Sequence, residues 1–243
     1  MEIKINTVYH GDCRDLMKAM IEQGIVADWC IADPPYGIGE DGAKNETRSS
    51  HNIAPTKFTH KDWDKERITK DYFDLMRTCS KNQIIFGGNY YSDFLPSPFG
   101  NNFAVWDKRS GNKNRNDFSD CEVAWCSTGG GRMFRFVWNG MLQGDMKNKE
   151  NRIHPTQKPV ALITMLLSYY TKEDDLIIDP FMGSFSTAIA CHKNNRRFIG
   201  AEKDDEYFEN GSKRLSEVQS QMSIFDLQSK RRTSHEQMLL FPC

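Results

Sequence analysis

A chain of 243 residues, 38% hydrophobic and 27% charged, has the makeup of a globular protein with one sizeable core and at most a small appendage. Its 32 Lys and Arg against 33 Asp and Glu exclude a globally basic nucleic-acid binder, so any DNA contact has to come from local patches. No stretch reaches the ~20 apolar residues of a membrane span, the first residues lack a signal-peptide core, and the seven cysteines have no zinc-ligand spacing; the expectation is reduced thiols in a cytoplasm, and no metal.

Strand-like and helix-like segments alternate along the chain, which predicts an α/β sheet with crossover helices. Lys4–Tyr9 alternates as a short strand, and a helix over 12–20 follows, entered through Gly11 with Asp12 as its N-cap. A strand over 28–31 comes next. A helix over 66–79 carries Ile68, Tyr72, Phe73, Leu75 and Met76 on one face, and the strand Gln83–Phe86 stops at Gly87-Gly88. Strands are predicted at 102–106 and 122–126, a helix at 160–170, a strand at 175–178, a helix at 186–191, a strand at 197–200 and a closing helix at 205–215. Two polar segments break the rhythm. Residues 37–61 are too long for a simple connection and suit a lid or binding element. Residues 129–151 interleave Phe134, Phe136 and Trp138 with Arg132, Arg135, Lys147 and Lys149, which suits base stacking and phosphate contact, or a decorated surface hairpin.

Two motifs carry chemistry. Asp33-Pro34-Pro35-Tyr36 closes the second strand. A carboxylate and a backbone carbonyl can both accept hydrogens from one exocyclic amine, and a tyrosine ring can stack on the base that bears it. The prolines fix φ near −65° and remove backbone donors, so the carbonyl between them points in a set direction. Taken alone, the tetrapeptide is also a reasonable strand-ending turn. Downstream, the buried strand Leu176–Ile178 runs into Asp179-Pro180-Phe181-Met182-Gly183-Ser184 and then an apolar helix, presenting backbone N–H groups to a carboxylate or phosphate. Glu202 closes the next strand about twenty residues on, where an acid can hold ribose hydroxyls. The full GxGxxG pattern is absent, so an adenosine cofactor with a carboxylate tail, such as S-adenosylmethionine, fits better than a dinucleotide.

With His10–Cys13, Phe86–Tyr90, Val105–Lys108 and the block Arg152-Ile153-His154-Pro155-Thr156-Gln157-Lys158-Pro159 in this order, the chain resembles the circularly permuted "beta" class of amino-directed DNA methyltransferases over nearly all of residues 8–215. The resemblance implies a doubly wound, mainly parallel twisted sheet of the S-adenosylmethionine-dependent methyltransferase type. It implies transfer of a methyl group to the N6 amino group of adenine in double-stranded DNA after base flipping. Asp33, Pro34, Pro35 and Tyr36 would be catalytic. Asp12, Cys13, Asp33, Thr156, Gln157, Lys158, Asp179, Phe181, Gly183, Ser184 and Glu202 would hold S-adenosylmethionine, with Thr156 to Lys158 near its carboxylate. N4 of cytosine is the alternative target, and an inactive DNA-binding relative the alternative protein. The family usually has glycine where Phe185 stands; the expectation is that Phe185 points away from the cofactor with an ordinary helical φ.

Lys108, Arg109, Lys113 and Arg115, with Arg132 and Arg135, form local basic groups suited to DNA phosphates, or a solvated charged loop. Residues 1–215 make the catalytic domain and 216–243 a flexible tail. In that tail Gln221-Met222-Ser223-Ile224-Phe225 and Gln237-Met238-Leu239-Leu240-Phe241 repeat one pattern, similar to peptides that bacterial proteins insert into a replicative sliding clamp. The same apolar pairs would also suit packing onto the core or across a homodimer. The setting is the cytoplasm of a bacterium, or a phage gene.

Overall fold

The computed structural model describes residues 1–40, 61–95, 102–110, 119–139 and 142–221. Its elements are β1 (Thr7–His10), α1 (Cys13–Glu22), β2 (Ala27–Ala32), α2 (Lys70–Cys79), β3 (Ser80–Phe86), β4 (Phe103–Asp107), β5 (Cys121–Cys126), β6 (Arg132–Arg135), β7 (Trp138–Asn139), β8 (Leu142–Gln143), α3 (Val160–Tyr170), β9 (Leu176–Asp179), α4 (Ser186–Lys193) and β10 (Arg197–Glu202), followed by a helix, α5, over 205–221. Eight strands form one sheet in the order β1-β10-β9-β2-β3-β5-β4-β6, and β7 with β8 forms a separate ribbon. All neighbouring pairs are parallel except β3–β5 and β5–β4, so β5 alone runs against the rest. The sheet is mainly parallel with helices on both faces, the architecture that the resemblance implies.

The strand β2, Ala-Asp-Trp-Cys-Ile-Ala, is nearly continuous in apolar residues because helices cover both faces. Trp29 and Ile31 join a cluster with Ile163, Leu166 and Leu167 of α3 and Ile189 of α4. Cys30 and Ala32 face the opposite cluster, with Leu16, Met17 and Met20 of α1 and Phe73 and Met76 of α2. Burial of each such Leu, Ile or Phe contributes about 1.5–3 kcal/mol, which makes the two-sided core the main support of the sheet. Asp12 caps α1 as the sequence predicts, accepting from the Arg14 amide at 2.9 Å.

Three elements differ from the sequence expectation. The second helix starts at Lys70 rather than Glu66, because Thr69 is extended and Arg67 pairs with Tyr36 in an isolated antiparallel bridge. Arg132–Arg135 joins the main sheet beside β4, where one exposed face hides the alternation that identifies inner strands. The closing helix runs on through 221, with Val218 packed on the core.

Phe185 corrects its expectation in part. Its ring points into the core, 5.9 Å from Phe208, and occupies the space above Gly211, where an added Cβ would come within 2.3 Å of it. Its φ is +61°, left-handed rather than helical. The backbone turn that glycine would serve is kept, and a buried aromatic ring compensates for the strain, which is of order 1 kcal/mol. Phe185→Gly is expected to lower the unfolding free energy by about 3 kcal/mol in urea titration, since the lost packing exceeds the relieved strain; a gain in stability would show the opposite balance.

Candidate active site

A cleft of about 1080 Å³ lies at the carboxyl ends of the parallel strands. There the sheet places one acid at the end of each of four adjacent strands: Asp12 just beyond β1, Glu202 at the end of β10, Asp179 at the end of β9 and Asp33 just beyond β2. All four line the cleft, together with Cys13, Phe181, Gly183, Ser184 and the 154–158 loop. The two halves of the predicted site, far apart in sequence, therefore face one space.

Each acid is held differently. Asp12 grips the Arg14 guanidinium at 2.7 and 3.1 Å, and this bond keeps its carboxyl below the usual range. Glu202 accepts from the Gly183 amide at 2.7 Å and the Asp204 amide at 2.8 Å, while burial pushes it upward. Asp179 accepts from the Phe181 amide at 2.9 Å; burial, opposed by the Thr187 side chain and that amide, leaves it raised to about 7. Asp33 has both oxygens engaged: the Tyr36 hydroxyl donates to one at 2.5 Å and the Lys158 ammonium to the other at 2.5 Å. Burial raises Asp33, and the adjacent Lys158 cation works against that rise.

The Asp33–Tyr36 turn is fastened from outside. The buried Asp64 carboxylate accepts from the amides of Tyr36 at 2.6 Å, Gly37 at 2.9 Å and Glu40 at 2.9 Å, and the Tyr91 hydroxyl donates to the Pro35 carbonyl. The Tyr36 ring stacks on Tyr90, with centroids 4.9 Å apart and planes 15° from parallel. Gly87 makes room for it: φ is +65°, and a Cβ there would lie 2.2 Å from the ring.

The 154–158 block is also specialised. His154 is buried against Tyr207, with centroids 4.2 Å apart, and burial followed by the Lys158 charge drives it down to about 3, so it is neutral. Gln157 turns its amide to the Asn151 carbonyl and the Ile153 N–H, closing its own loop. Lys158 lines the same cleft and directs its ammonium to Asp33 and, at 3.2 Å, to Glu122. Burial lowers Lys158, but the two carboxylates outweigh that and leave it raised. The small-residue turn is clamped by Arg214, which donates to the Ser184 carbonyl at 2.7 Å and to Glu150 at 2.5 Å.

The basic residues separate into groups. Lys108 pairs with Glu122 inside the cleft and Arg109 with Asp120 at 2.7 Å; both side chains are mostly buried. Arg135, 65% exposed, stands beside Asp107 at the cleft end of the edge strand. Arg132 sits at the opposite end of that strand, against Tyr169. Lys113 and Arg115 lie outside the described residues, as do most of 37–61, residues 140–141 and both tail peptides beyond Gln221. Among the described residues no group of His, Cys, Asp or Glu is arranged to hold a metal, and no helix is long and apolar enough to cross a membrane.

Comparison with known proteins bears on the same site. Residues 97–213 match a family model described as DNA methylase, of the N6 and N4 methyltransferases. The chain is similar to the type II methyltransferase M2.MboI of Moraxella bovis, 26% identical over 87% of this chain and 88% of that protein. It is 23% identical to the type II methyltransferase M.HinfI of Haemophilus influenzae over 93% of this chain and 72% of the relative. A shorter match joins it to the DNA adenine methyltransferase YhdJ of Escherichia coli, 39% identical over 34% of this chain and 28% of that one. Among solved structures, the fold superposes on the M1.HpyAVI–SAM complex with a TM-score of 0.58 at 22% identity, covering 86% of this chain and 98% of that one. The cytosine-N4-specific PvuII DNA methyltransferase superposes with a TM-score of 0.53 at 15% identity, over 87% and 90% of the two chains.

Asp64 and Glu122 were missed by sequence reasoning. Asp64 lies in a polar stretch with no motif of its own, and Glu122 reaches the cleft only because β5 runs backwards and starts there. Asp64→Ala should lower stability by about 3 kcal/mol in chemical denaturation, since it strips the acceptor from three loop amides; a loss below about 1 kcal/mol would contradict the role.

Proposed function

We propose that this chain is a DNA methyltransferase that uses S-adenosylmethionine to methylate the N6 amino group of adenine flipped out of the duplex. The observation that carries the reading is the meeting of Asp33 with the Asp179–Ser184 turn and Glu202 in one cleft. The residues present fit the cofactor. Asp12, Glu202 and Asp179 on three adjacent strand ends suit a ligand with a sulfonium and an ammonium group, and the rings of Phe181 and Tyr72, 6.1 Å apart and in one cluster with Cys13, offer an apolar surface for an adenine. Glu202, Asp179, Gly183 and Ser184 would hold the ribose and methionine portions, with Asp12 and Cys13 beside the base. When bound, S-adenosylmethionine supplies an electrophilic methyl group.

The chain's part is to prepare the amine. An adenine amino nitrogen is a poor nucleophile while its lone pair is delocalised into the ring. Asp33 and the Pro34 carbonyl accept its two hydrogens, which favours a pyramidal nitrogen with its lone pair aimed across the cleft. Tyr36, braced by Tyr90 from behind and by Asp64 through its amide, offers its ring to the base. No covalent bond to the protein is needed, so positioning and electrostatics carry the rate. DPPY is associated in the resembled family with adenine, and the match to an adenine methyltransferase supports the same base. Arg135, at the cleft end of the edge strand, stands where duplex phosphates would pass. Phe185, turned into the core, leaves the cofactor turn open and favours an active enzyme over an inactive relative.

The test is methyl transfer from labelled S-adenosylmethionine to unmethylated genomic DNA, with the nucleosides then separated. Label in N6-methyladenine is expected; label in N4-methylcytosine would change the base, and absence of label would overturn the reading. For the tail we propose docking of Gln221–Phe225 and Gln237–Phe241 on a replicative sliding clamp, on the strength of the repeated pattern. Deleting residues 222–243 is expected to abolish retention on immobilised clamp; unchanged retention would exclude it.

A further inference from the structure

The cleft holds a row of alternating charges that no motif predicts: Lys108, Glu122, Lys158 and Asp33, ending at the Tyr36 hydroxyl. Lys108 fixes one oxygen of Glu122, and the other is buried, within ion-pair range of Lys158 yet accepting no hydrogen bond of normal geometry. Lys158 instead donates at 2.5 Å to Asp33, the carboxylate that the target amine must reach. Each Asp33 oxygen thus already accepts one hydrogen before any base arrives, and the target amine has to compete with one of these partners for the oxygen it approaches. The Tyr36 hydroxyl belongs to the ring that faces the base, whereas the ammonium has a second acceptor 3.2 Å away. Its nitrogen also lies over the Phe86 ring, 5.0 Å from the centroid, so a short rotation carries it between the two acids without leaving the row.

We propose that Glu122 is a positioning residue that receives the Lys158 ammonium when the target amine takes its place on Asp33. The movement is a short rotation of one side chain, and the row keeps two cations and two anions throughout. In the resting site Lys158 holds Asp33 in the cleft as a counter-ion; in the loaded site Glu122 holds Lys158, and Asp33 has an oxygen free for the amine. Lys108 anchors Glu122 so that it does not follow the ammonium back. Glu122 touches neither base nor cofactor in this scheme and acts only through Lys158. The inference rests on the methyltransferase reading given above.

The experiment is steady-state methyl transfer to unmethylated genomic DNA by the full chain, with S-adenosylmethionine varied. Glu122→Gln removes the charge but keeps the shape. It is expected to lower kcat ~10-fold, the scale of one charge-assisted hydrogen bond, with KM for the cofactor unchanged. Glu122→Asp keeps the charge and should stay within about threefold of the wild type. In a Lys158→Met background, Glu122→Gln should cause no further loss, because its only route to Asp33 is gone. A Glu122→Gln loss that multiplies with that of Lys158→Met would overturn the proposal, as would wild-type kcat in Glu122→Gln or a loss confined to KM. A wild type that transfers no methyl group would overturn the function reading first, and this role with it.

Discussion

The site depends on how a carboxylate can be kept ready at the end of a buried strand. Asp33 follows β2, which is covered on both faces, so the chain delivers its charge into surroundings that favour the protonated acid. An ionised carboxylate is a stronger acceptor for the hydrogens of an amine than the neutral acid. The Lys158 ammonium supplies the opposing charge, and it in turn needs Glu122 and Lys108 to complete a neutral row. The conformation of the Asp33–Tyr36 turn, the fold of the 154–158 block and the reversed direction of β5 all bear on that single requirement.

The sheet topology explains why the partners can meet. With β9 beside β2 and β10 beyond, the last strands of the chain are inserted next to the first, and their carboxyl ends open on one crevice where strand order changes direction. Parallel pairing alone would give that crevice only residues from strand ends. The antiparallel β5 adds residues from a strand start, Cys121 and Glu122, beside the end of β4. The second carboxylate of the charge row enters by this route.

Much of this was legible in the sequence. The β2 and β9 runs, the Asp12 cap and the α3 span are found where hydrophobic periodicity places them, because both the core faces and the cap chemistry are local. Asp33, Asp179 and Glu202 were readable as strand-ending acids, though that they share one cleft depends on strand order. Asp64 was not readable, since its role is to satisfy amides of a turn 24 to 28 residues away. The left-handed φ of Phe185 was also hidden: a bulky residue is tolerated there only because Gly211, on a later helix, leaves space for its ring. Lys108 and Arg109 looked like surface cations because their acid partners lie on a strand that sequence spacing alone does not place beside them.

The most direct test is a single-turnover comparison of wild type and Asp33→Asn, with the cofactor dissociation constant measured on the same samples. Asparagine keeps the size of the side chain and removes the charge. The account predicts a methyl-transfer rate at least ~100-fold lower with cofactor affinity within about twofold of the wild type, since Asp33 acts on the amine rather than on binding. A rate near the wild-type value, or a loss matched by equal loss of cofactor affinity, would contradict it.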